Sequence, residues 1–99
     1  MSYQVSEDGL SFRLEGGVVE VLPEQDGLLV HYYTYRGSSR SEKISCRNLQ
    51  NDLQESWVVE QALVFVRECV GQFKFKVRFK ATVRELISTH YRSKAKVYA

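Results

Sequence analysis

Ninety-nine residues, of which 43% are hydrophobic and 26% charged, fit one ordinary domain with its own core and exclude both a disordered chain and a two-domain protein. The apolar runs are only a few residues long, which excludes a membrane-spanning helix. The first residues have neither the basic start nor the apolar segment of a secretory signal, so the expected location is the cytoplasm. The net charge of +2 conceals two unlike parts: residues 1–71 carry six Lys/Arg against eleven Asp/Glu (net −5), and residues 72–99 carry eight against one (net +7). Such asymmetry bears on partners or self-pairing and not on fold.

Leu10-Ser11-Phe12-Arg13-Leu14 alternates apolar and polar residues, the period of a half-buried strand. Gly16-Gly17 separates it from Val18-Val19-Glu20-Val21-Leu22, and a glycine pair between two such runs reads as a hairpin. Pro23 ends the second strand, and Asp26-Gly27 signals a turn. The run Leu28 to Arg36 is the longest β-rich segment. It sets His31, Tyr33 and Tyr35 on one face and Val30, Tyr32 and Thr34 on the other. Whichever face meets the helices is expected to pack its rings into the core, leaving the opposite face to water or a partner. After Gly37-Ser38-Ser39, residues Ser41 to Arg47 form an expected fourth strand.

The period then changes. Asn51 or Asp52 can cap a helix, and Val59, Ala62, Leu63, Val66 and Val70 recur at helical spacing up to Gly71, a natural C-terminal residue. Leu53, Trp57 and Val64 fall on the other side of that helix, so it is apolar on more than one face. Residues 73–79 alternate Phe73, Phe75, Val77 and Phe79 with Lys74, Lys76 and Arg78, which predicts a strand. Thr82-Val83-Arg84-Glu85 reads as a capping box opening a second helix that ends near Arg92 or Ser93. Residues 92–99 read as a loose basic tail of a single domain spanning 1–99. The expected fold is α+β: an antiparallel β-meander of about four strands, then helix–strand–helix, with the helices packed on one sheet face.

The leading functional expectation is a small non-enzymatic regulator that binds DNA or RNA through the cationic strand. Alternate residues on one strand face lie about 6.6 Å apart, a pitch at which Lys74, Lys76, Arg78 and Lys80 can track phosphates. Arg84 and Arg92 would flank them. Lysines can equally protect a sheet edge from other chains. The alternative is a protein-interaction module, whether an adaptor, an inhibitor or a self-pairing dimer, using Leu53, Trp57 and Val64 on the doubly apolar helix. A membrane-surface role ranks below both, since the cations do not form a basic amphipathic helix. No catalytic residues, metal ligands or cofactor are expected. His31 and His90 lack a partner histidine or paired carboxylate at useful spacing, and Cys46 and Cys69 read as free thiols outside any Cys-x-x-Cys motif.

Overall fold

Every strand in the first half of the chain pairs with its neighbour in sequence. The computed structural model describes the backbone of residues 2–6, 9–46, 52–71 and 74–98, and the side chains of 9–46, 53–71 and 74–90. β1 (Ser2–Ser6), β2 (Gly9–Arg13), β3 (Gly17–Glu24), β4 (Gly27–Thr34) and β5 (Ser39–Ser45) form one antiparallel sheet in the order β1-β2-β3-β4-β5. Two helices follow, α1 (Asp52–Val70) and α2 (Lys76–Tyr98). The α+β meander with helices on one face is therefore the architecture, with one more strand at its start than the sequence suggests. In β1 only Tyr3 and Val5 alternate with polar neighbours, a signal too short to stand alone, and pairing with Phe12 and Leu10 of β2 supplies the rest.

Register explains which face is inside. Phe12, Val19 and Tyr32 stand opposite one another across β2, β3 and β4, as do Leu10, Val21 and Val30. These positions except the partly buried Tyr32, with Leu28 and Ile44, form the buried row that meets Val58, Val59, Ala62, Phe65 and Val66 of α1 and Phe79, Val83, Leu86 and Ile87 of α2. Each such fully buried side chain contributes about 1.5–3 kcal/mol of transfer free energy. α1 lies over β4 and β5, and α2 lies over β1, β2 and β3. Tyr32 packs against the core from the helix-facing side, while His31 and Tyr33 occupy the open face. α1 ends as expected: Gly71 adopts φ +74° and donates its N–H to the Arg67 carbonyl at 2.9 Å.

The strand expected over residues 73–79 is not one. Lys74 and Phe75 lie in a turn and Lys76 onward in α2, while Phe73 lies outside the described residues. Phe75 and Phe79 are four apart, a spacing that suits a helix as well as a strand, so only Val77 separates the two readings. Val77 is 76% exposed, whereas Phe79 is fully buried. Phe79, Val83, Leu86 and Ile87 recur at i, i+4, i+7 and i+8 and bury one helical stripe. Lys, Arg and Ala between them are good helix formers. The capping box is overturned with the strand. Thr82 is inside α2, where its hydroxyl donates back to the Arg78 carbonyl at 2.6 Å and so satisfies a buried polar group. The backbone of α2 also runs to Tyr98, past Arg92 and Ser93.

Candidate functional site

Because residues 76–80 are helical, the expected cationic row is not assembled. Lys76, Lys80 and Arg84 follow at successive turns of α2, while Arg78 projects about 200° round the axis from Lys76. Two of these cations are engaged with α1. Lys80 Nζ pairs with Glu60 Oε1, and Arg84 Nε lies 4.0 Å from Glu55 Oε1. As numbers rise along α2 they fall along α1, so these pairs tie an antiparallel helix hairpin. Lys74 and Arg78 are exposed and line a shallow groove with Phe75, Val77, Ala81 and Glu85, and Lys76 is exposed outside it. The side chain of Arg92 lies outside the described residues, as do those of the basic tail. Half-exposed ion pairs contribute little. Lys80→Ala is expected to change unfolding free energy by less than about 1 kcal/mol in urea titration.

The second expected surface is assembled. Leu53, Trp57, Glu60 and Val64 fall within about 60° on α1 by helical geometry. Leu53 is 82% exposed, Trp57 52% and Val64 43%. Ala62 and Val66, which bury α1 against the sheet, lie on the opposite side, and Val58 and Phe65 lie between the two faces. Three large apolar side chains are thus left on the outer surface of a helix whose core contacts are already complete.

β5 is the last strand of the sheet and is exposed along its length except at Ile44. Lys43 Nζ is 3.1 Å from Asp26 Oδ1, and the Arg40 guanidinium lies 5.7 Å from the centroid of the Phe65 ring on α1. On the open sheet face His31 Nδ1 lies 4.0 Å from Glu20 Oε1, and its ring meets Tyr33 at a tilted 5.4 Å. Tyr35, just beyond β4, donates its hydroxyl to the Leu14 carbonyl at 3.3 Å.

The remaining reactive groups do not converge. Cys46 and Cys69 are free. Burial pushes the Cys69 thiol up against the opposing pull of Arg40, which keeps it protonated and a poor nucleophile at neutral pH. Among the described residues no three His, Cys, Asp or Glu side chains stand close enough to hold a metal ion, and no helix is long and apolar enough to cross a membrane. Comparison with family models, curated proteins and solved structures found no match for the chain.

Proposed function

We propose that this chain is a non-enzymatic binding module that works by protein–protein contact over the outer face of α1. The observation that carries this reading is the stripe Leu53, Trp57 and Val64, exposed together on one helix face. A large aromatic flanked by aliphatics on a rigid element is the composition of an interface anchor, because Trp buries much area at little conformational cost. Water is a poor environment for such a cluster, and a partner surface removes it from water.

A second reading, DNA or RNA binding, keeps one specific support. Lys74, Lys76 and Arg78 are exposed around the start of α2, whose first turn contains no acid and whose backbone dipole favours an anion there. Engagement of Lys80 with Glu60 and of Arg84 with Glu55 shortens that patch, so it ranks second.

Two paired variants separate the readings. Trp57→Ala/Val64→Ser removes the apolar stripe, and Lys76→Glu/Arg78→Glu reverses the cations. A protein captured in stoichiometric amount by the wild type and by the second variant, but not by the first, is the expected result. Salt-steep binding of labelled single-stranded or duplex nucleic acid, lost only in the second variant, would transfer the function to the α2 patch.

A further inference from the structure

We infer that the partner is a second copy of this chain, joined edge to edge through β5 about a two-fold axis at Ser41, with the two α1 helices side by side. This rests on the interaction reading and deepens it by naming its partner, and it adds a separate feature, the β5 edge of the sheet, which no other described strand pairs.

In an antiparallel ladder alternate residues direct their backbone groups to one side. Thr34 N–H donates to the Ser38 carbonyl at 2.8 Å, and Cys46 N–H donates to the Asp26 carbonyl at 2.7 Å. Residues 38, 40, 42, 44 and 46 therefore face β4, and Ser39, Ser41, Lys43 and Ser45 point their N–H and C=O groups outward. That outer row is a template for another strand, and the strand that fits it must carry complementary charge.

β5 is complementary in charge to itself in the register centred on Ser41. Antiparallel pairing centred on Ser41 sets Arg40 opposite Glu42 of the second copy, and Glu42 opposite its Arg40. Both are non-hydrogen-bonded pairs, the kind with the closest Cα approach, about 4.5 Å. Ser41 then exchanges both backbone bonds with its own copy, and Ser39 does so with Lys43. Centring on Arg40, Glu42 or Lys43 instead sets two like charges face to face. Centring on Ser39 runs the pairing into the turn at Gly37, where φ is +100°. Centring between two residues opposes outward-bonding groups to inward-bonding ones. Lys43, the usual guard of such an edge, is neutralised by Asp26 at 3.1 Å.

The helix layer points the same way. α1 sits over β4 and β5, so with strands about 4.8 Å apart the two α1 axes come to about 10 Å across the dyad, a normal helix-packing distance. Phe65, whose ring lies under Arg40, marks the flank of α1 that faces the free edge. Gln61 and Trp57 precede it at i−4 and i−8, turned about 40° and 80° from it toward the outer surface, so the exposed indole stands at the outer rim of the seam where the second helix arrives. The pair is a continuous sheet of twice five strands with one helical layer.

Sedimentation velocity over a wide range of concentration tests this with charge exchange. The wild type is expected to sediment with twice the chain mass. Arg40→Glu and Glu42→Arg, each alone, should weaken association roughly tenfold or more, and mixing the two variants should restore a pair with one chain of each. Ser41→Pro should also dissociate it, because its outward N–H is not used by β4. Circular dichroism and thermal melts verify that each variant is folded. Emission from the single tryptophan, Trp57, should shift to the red as the pair dissociates. A wild type that stays monomeric at every concentration would overturn the inference, as would a dimer indifferent to both charge variants. A monomer that still captures another protein through Trp57 would overturn it as well, and would leave the interaction reading of α1 standing.

Discussion

Phe79→Ala is expected to destabilise the fold by about 3–5 kcal/mol, while Val77→Ala, two residues away, should change it by no more than about 0.5 kcal/mol. Phe79 is fully buried between α2 and the sheet, with its ring centroid 5.6 Å from that of Phe12 on β2. Removing it opens a cavity bounded by a strand and a helix whose backbones are each held by their own hydrogen bonds, so the site collapses poorly. For a domain of this size the loss corresponds to a fall of roughly 12–40 °C in Tm, and it approaches the whole stability of a domain at the lower end of the ordinary range. Val77 is exposed on α2 and loses only contact with water. Urea titrations of both variants read the contrast directly. Comparable losses at the two positions would be the signature of a strand with Val77 and Phe79 on one face.

The second large effect is expected at Gly27, where β4 begins. Its φ of +149° lies in the positive region that residues with a Cβ rarely adopt. A Cβ there would overlap the Ile44 carbonyl oxygen and come within 3.0 Å of Ser45 Cα on β5. These are backbone atoms of a paired strand and can yield only by parting the β4–β5 ladder. Gly27→Ala should therefore cost about 2 kcal/mol or more. Gly37→Ala is the control. Its φ is +100°, but nothing lies within 4 Å of the added carbon, so the cost is only the backbone preference, about 1 kcal/mol. Equal midpoints for the two variants in denaturant would show that the close approach to β5 carries no energy.

Much of the sheet was legible because its signals are local. β2 alternates with period two, β3 and β4 are β-rich runs, and glycine turns separate the three; which face of β4 meets the helices is open in the sequence, and the structure makes it the one carrying Val30 and Tyr32. β1 was not legible, since Ser2–Ser6 has two apolar positions and becomes a strand only by pairing with β2. The segment 73–79 misleads for a definite reason. Seven residues are too few to separate a period of 2 from one of 3.6 when the deciding side chain, Val77, is apolar yet exposed. The surplus of cations could be counted, but their use could not. Lys80 and Arg84 meet Glu60 and Glu55 only because the helices run antiparallel. The stripe Leu53, Trp57 and Val64 was legible because α1 has more apolar residues than one buried face needs. The alternation of Arg40 and Glu42 about Ser41 is plain in the chain, but it acquires meaning only when β5 is the last strand and its outward-bonding residues are identified.

The strand order has a consequence for how the molecule is made. Each strand joins the one before it, and β3 and β4 are separated only by Gln25 and Asp26, so the loop-closure entropy of each step is small. α1 likewise docks on β4 and β5, the two strands just synthesised. α2 breaks this order: it covers β1, β2 and β3, strands made well before it. Until it emerges, Leu10, Phe12, Val19 and Val21 have no cover, and half of the inner sheet face is bare. Synthesis thus leaves this part of the sheet uncovered until α2 is made, and α2 then closes it against strands made well before it.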